Sequence, residues 1–199
     1  MNINIKGDMK SAGRFLDKLQ RRQIPFGTSL ALNASAVKIQ KLEKRMIQND
    51  LDNPTPQVVK SIRVARSSKR NLEASVFIIA PIARFLQWQI EGGTRPARGR
   101  SEAVPVGTRL NKYGNIIGRR QGKIAKLLAR PDTFSGTIRG VAGVWQRGKG
   151  RSRSIKLLVA YYPRVQYRAR FPFYRYASKA LNRIWVREFR RGLARAMRG

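Results

Sequence analysis

The chain has 199 residues, and 43 Lys and Arg against 10 Asp and Glu leave it at +33. A field of that size opposes the isolated fold by self-repulsion and implies an anionic partner: nucleic acid, an acidic protein surface or anionic lipid. There is no cysteine and no histidine, which excludes disulfides, thiolate metal sites and cysteine nucleophiles and removes the usual near-neutral general base.

In chain order, Phe15, Leu16 and Leu19 fall at helical spacing and predict a short amphipathic helix over 11–20. Gln23-Ile-Pro-Phe-Gly27 predicts a break. From Thr28 to about Gln48, Leu32, Ala36, Ile39, Leu42 and Met46 step by three or four, which predicts a long helix capped by Thr28 or Ser29. After an Asn/Pro-rich loop, Thr55-Pro56 opens a helical turn through Val59. Ile62 and Val64, then Leu72, Ala74, Val76 and Ile78, alternate and predict a hairpin. Pro81 ends the second strand, and Ile82–Ile90 predicts a short helix closed by Gly92-Gly93. The longest apolar run, Val76–Ile82, is far too short to span a bilayer. The first residues hold no apolar stretch of signal-peptide length, so the expectation is synthesis in the cytoplasm and no membrane partner.

Residues 94–135 are basic and glycine-rich and read as an inserted or extended loop region. Within them Val104, Val106 and Asn115–Ile117 suit short strands, and Lys123–Ala129 suits one or two helical turns. Ile138, then Val141–Trp145, predict a strand that pairs with Ile155–Tyr162 across the basic turn Arg147–Ser154. The last element, Phe173 to Met197, carries the stripe Tyr174, Ala177, Leu181, Trp185, Phe189 and Leu193 beside a ladder of Arg175, Lys179, Arg183, Arg187, Arg191 and Arg195. The sum is an α+β chain: one domain over 1–199, a small mostly antiparallel sheet packed with a long N-terminal helix and a C-terminal amphipathic helix, and the basic region at 94–135.

No sequence pattern for catalysis emerges. Serine or cysteine triads need histidine or cysteine, no phosphate-binding Gly-x-x-x-x-Gly-Lys-Ser/Thr occurs, and the neighbouring acids Asp50 and Asp52 suit helix capping. The expectation is a protein that is not an enzyme and holds no cofactor or metal. Candidate contacts for an anionic partner are the glycine-flanked cations Arg119, Arg120 and Lys123, and Arg147, Lys149, Arg151 and Arg153. These loops have two readings, phosphate or carboxylate holders and plain solvated loops.

Four segments carry a resemblance. They are the helix Ser29–Ile47; Thr-Pro-Gln-Val-Val-Lys-Ser-Ile-Arg-Val at Thr55–Val64; Glu-Gly-Gly-Thr-Arg-Pro-Ala-Arg at Glu91–Arg98; and Val144-Trp-Gln-Arg147 followed by Arg170-Phe-Pro-Phe173 before the last helix. In this order they resemble phage minor tail protein Z and the related tail-completion, or head–tail joining, proteins. Arg95 to Arg130 aligns with no element of that family. The resemblance implies a virion protein of the tail or neck, part of a homo-oligomeric ring, a hexamer, with tail-tube, neck or connector rings as partners. The charge leaves an alternative open, a non-specific nucleic-acid-binding protein with DNA as the partner.

Overall fold

The computed structural model describes Gly13, Leu16, Asp17 and residues 19–97, 99–117, 122–148 and 154–198. They form an α+β fold. Half of the helix expected over 11–20, Phe15 included, lies outside the described residues.

A π-helical turn, Leu19–Gln23, runs directly into helix α1, Ile24–Asp50. The expected break at Gln23–Gly27 is therefore absent, and Thr28 and Ser29 are interior rather than caps. Pro25 falls in the first turn of α1, where a missing N–H removes no intrahelical bond. Helix α2 (Pro56–Lys60) leads into the antiparallel hairpin β1 (Ile62–Ala65) and β2 (Ser75–Ile78), registered from Ile62 opposite Ile78 to Ala65 opposite Ser75. Helix α3 (Ala80–Ile90) follows, with Pro81 again in a first turn. Then come β3 (Gly93–Pro96), β4 (Glu102–Pro105), α4 (Lys123–Leu128), β5 (Thr133–Ile138), β6 (Val141–Arg147), β7 (Ile155–Tyr162), β8 (Arg164–Tyr167) and α5 (Phe173–Met197). Among the described residues no helix is long and apolar enough to cross a membrane.

The chain divides into two compact units, 1–47 with 57–82 and 173–199, and 48–56 with 83–172. In the first, helical unit, α1 passes α5 at a pair of glycines. A Cβ on Gly192 collides with the Gly27 carbonyl oxygen, and one on Gly27 comes within 3.0 Å of Leu193 Cα. The buried row of α1 is Ala31, Ser35, Ile39, Glu43 and Ile47, with Ala36 beside it. Of the stripe expected from the sequence, only Ala36 and Ile39 are buried, because small residues rather than large apolar ones permit this close approach. On α5 the buried residues are Phe173, Glu188, Gly192 and Ala196; Tyr174 and Leu181, expected in the apolar stripe, are 69% and 39% exposed. The segment after β1 is tied to α1 by polar bonds. The Asn33 amide accepts from Ser67 N–H at 2.9 Å and donates to Ser67 C=O at 3.1 Å, as a neighbouring strand would. Ser67 Oγ also donates to the Ser29 carbonyl at 3.1 Å, and Gln40 Nε2 donates to Ile62 C=O at 2.7 Å.

The second, sheet unit centres on a four-stranded antiparallel sheet in the order β4-β7-β6-β5. Ile138 and Val141, read from sequence in one strand, belong to two: Arg139 and Gly140 turn the chain at φ 48° and 78°, the positive pair of a two-residue hairpin. Val144, Leu158 and Val159 form its core, with Ile124 and Leu127 of α4 packed against them. A Cβ on Gly143 collides with the Val159 carbonyl oxygen, so the β6–β7 pairing demands glycine there. The basic region at 94–135 supplies β3, β4, α4 and part of β5; β4 pairs with β7, Val104 opposite Ala160. A separate ribbon, β3 with β8, sets Arg95 opposite Val165. Gly-Thr-Arg-Pro of β3 lacks the alternation that reveals β1 and β2, and in β8 only Val165 and Tyr167 alternate with Arg164 and Gln166.

Candidate anion-contact surface

Of the seven candidate contacts, Arg119, Arg120, Lys149, Arg151 and Arg153 lie outside the described residues. Lys123 and Arg147 are described, both in the sheet unit. Lys123 is half-buried at the start of α4, after Gly122 in the left-handed conformation at φ 82°. Arg147 is exposed at the end of β6. Among the described residues no hydrogen bond or ion pair links the two, and the six-residue helix α4 that Lys123 begins, about 9 Å of helix rise, leads away from it to the corner where Arg147 sits.

That corner is built by Thr133 and Asp132. Thr133 is buried, and its hydroxyl donates to the carbonyl of Leu127 at 2.5 Å and lies 3.1 Å from that of Arg130, closing the turn from α4 into β5. The Asp132 carboxylate takes both ends of the Arg130 guanidinium, at 3.1 and 2.8 Å, and Gln146 Nε2 at 2.6 Å. These donors, Gln146 foremost, hold its carboxyl below the ordinary value of 3.8. Its backbone carbonyl accepts the Arg147 N–H at 2.8 Å. Beyond Arg147, Gly148 N–H donates to Ser154 C=O at 2.7 Å and closes the base of the basic turn. The Arg147 guanidinium then lies over the Phe134 ring, 4.6 Å from its centroid, and no salt bridge among the described residues involves it. An exposed planar cation held on an aromatic face is suited to take a carboxylate or phosphate by paired charge-assisted bonds.

Sequence reasoning grouped cations by their neighbours in the chain, and so missed which were already engaged. Arg130 is held by Asp132. Arg95 reaches Glu102 at 2.8 Å, with only 14% of its side chain exposed, and also covers the Tyr167 ring. Arg170 binds Asp52 at 2.7 Å, so this acid works in an ion pair rather than a cap. In the helical unit, Glu188 is buried on α5 and takes Lys38 at 2.6 Å, with Arg187 and Arg191 at 3.3 and 3.5 Å. The Lys38 bond, first among these, draws its carboxyl below the ordinary 4.5. The one legible signal for this cluster is that Glu188 is the single acid among seven cations of α5. Among the described residues no three Cys, His, Asp or Glu side chains gather around a metal-sized space.

Comparison with protein-family models finds no match, and comparisons with curated proteins and with solved structures find none either.

Proposed function

We propose that the protein is a structural component of a tailed-phage virion, one subunit of an oligomeric ring that completes the tail or joins it to the neck. In this reading it is not an enzyme; its work is to present cationic surface to acidic rims of adjoining tail-tube, neck or connector rings. The class of assembly rests on the resemblance of the four segments. The observation on the molecule that supports it is the fate of the acids. Asp17, Asp52, Glu102, Asp132 and Glu188 all bind cations of the same chain, and ten acids cannot balance 43 cations. Arg147 and most of the α5 ladder are left to counter-charges from outside, and docking of that kind weakens with salt.

The test is immunogold labelling and mass spectrometry of purified particles of the phage that encodes the chain. The expected result is label at the head–tail junction or tail end, with a ring, a hexamer by the resemblance, in native mass spectra of the assembled protein. Protein abundant in infected cells but missing from particles overturns the reading.

One observation favours a second reading, non-specific nucleic-acid binding: α5 carries seven cations, and its one acid is buried and engaged. Filter binding of duplex DNA at two salt concentrations decides it. A log K that falls steeply with log salt supports DNA as partner, and weak binding even at low salt removes it.

A further inference from the structure

In the helical unit, the polar ladder of α5 borders an open apolar groove of about 530 Å³, lined by Leu32 of α1 and by Leu181, Asn182, Trp185 and Val186 of α5. Val186 is 57% exposed and Leu181 39%. Trp185 stacks on Phe189 with centroids 5.5 Å apart, which fixes the floor. At about 100° per residue, Lys179 and Arg190 fall along the Val186 side of the groove, and Tyr174 and Arg175 continue its face toward the start of α5. All four are exposed, and no exposed acid lies on α5.

We propose that this groove is the docking site for an acidic amphipathic helix of a partner protein. The apolar lining suits leucine-like anchors at i, i+3 or i+4 and i+7, and the volume holds roughly three or four of them. The cations along its edge call for carboxylates on the flanks of the same helix. A second copy of the chain does not supply such a helix. Its ten acids are scattered, and the one stretch with three in ten residues, Glu43 to Asp52, also carries Lys44 and Arg45. Nucleic acid matches the cations but not the groove, because a phosphate backbone contacts the edge and leaves aliphatic Leu32, Leu181 and Val186 uncovered. The assignment stands on the groove and its charge, and does not depend on the virion reading.

The probe is a fluorescein-labelled 18-residue peptide with leucines on one helical face and glutamates elsewhere, titrated with the full chain by anisotropy at 150 mM salt. Saturable binding is expected, at least 10-fold weaker for a scrambled peptide of the same composition. Binding should fall at least 10-fold with Val186→Asp, and several-fold with Lys179→Glu and Arg190→Glu combined. Circular dichroism verifies folding, and Val186→Ser replaces Val186→Asp should the latter unfold. Equal affinity for the scrambled peptide overturns the proposal, as does indifference to both Val186 variants. So does an 18-nucleotide oligothymidine whose binding shows the same Val186 dependence. Failure here leaves the virion reading standing, since that reading is tested on particles.

Discussion

In the helical unit one buried carboxylate, Glu188, gathers Lys38, Arg187 and Arg191. In the sheet unit each paired acid takes a single cation near the surface: Glu102 with Arg95, Asp132 with Arg130, Asp52 with Arg170. The difference follows from what else holds each unit. β6 and β7 are each paired on both sides and the sheet's centre is the apolar set Val144, Leu158 and Val159, so the acids there only brace corners and ends. Helices α1 and α5 meet at Gly27, Ala31 and Gly192, small residues that bring backbones close but bury little side chain. There a charged bond supplies part of what apolar volume supplies in the sheet.

The sharpest way to break that contrast is to widen the helix crossing. Gly192→Ala gains about 1 kcal/mol of helix propensity, but its Cβ strikes the Gly27 carbonyl, and forced packing of that kind costs up to about 3 kcal/mol. The expected net loss is about 2 kcal/mol, read as a lower urea midpoint. Gly136→Ala in β5 is the control: its Cβ meets only the Phe134 ring at 3.7 Å, so little change is expected. A neutral Gly192→Ala would mean that the helices do not rely on backbone contact.

Next in size is Glu188→Gln, expected to cost about 1.5 kcal/mol at neutral pH, the low end for a hydrogen bond to a charged group, because Lys38 is partly exposed to screening solvent. Its folded carboxyl is held below 4.5, so the stability it contributes is full above the ordinary carboxylate range and is lost as pH falls through the depressed value. Urea midpoints at stepped pH from 7 to 2 should show wild type and variant converging on the acid side. Asp132→Asn shifts the same limb with the same sign, since its carboxyl also lies low, but by less, because it stands near water where salt screens the pair. A larger effect for Asp132 than for Glu188 would reverse the contrast between the units.

What the sequence makes legible follows the same division. Alternation in Ile62–Val64 and Val76–Ile78 reveals β1 and β2, and the runs Val141–Trp145 and Ile155–Tyr162 reveal β6 and β7, because strands that bury one or both faces carry that burial in their composition. Helix α1 is legible as a helix but not in its orientation. Its buried row contains Ser35 and Glu43 beside Ile39 and Ile47, while Leu32 lines a groove instead. Periodicity locates large side chains, whereas a crossing built on Gly27 and Gly192 selects small ones. β3 and β8 escaped for another reason. Gly-Thr-Arg-Pro has no apolar face, and in Arg-Val-Gln-Tyr only Val165 and Tyr167 alternate, a signal lost beside the longer run Ile155–Tyr162; nor does any local pattern announce that Arg95 of β3 bonds Glu102. The candidate contact site was legible as a density of charge; that Arg130 is engaged while Arg147 has no ion pair among the described residues depends on Asp132, just before β5, which takes Arg130 and Gln146 together.

The smallest expected change in stability tests that last distinction. Arg147→Ala removes a cation lying on Phe134, a contact worth about 0.5–1 kcal/mol at an exposed site. It keeps the backbone N–H that binds the Asp132 carbonyl, so the corner survives. The urea midpoint should therefore barely move, while the salt needed to elute the protein from heparin falls and any DNA-binding salt slope drops by about one phosphate contact. Arg130→Ala should do the opposite, loosening the corner with less effect on elution, because its guanidinium already faces a carboxylate. If the two variants behave alike, internal pairing does not decide which cations are free to meet a partner, and the surplus of charge acts only as a diffuse field. If they separate, the acids of the sheet unit select the contact surface as well as brace the fold: each cation they engage is withdrawn from it, and Arg147 is presented because Asp132 is already engaged.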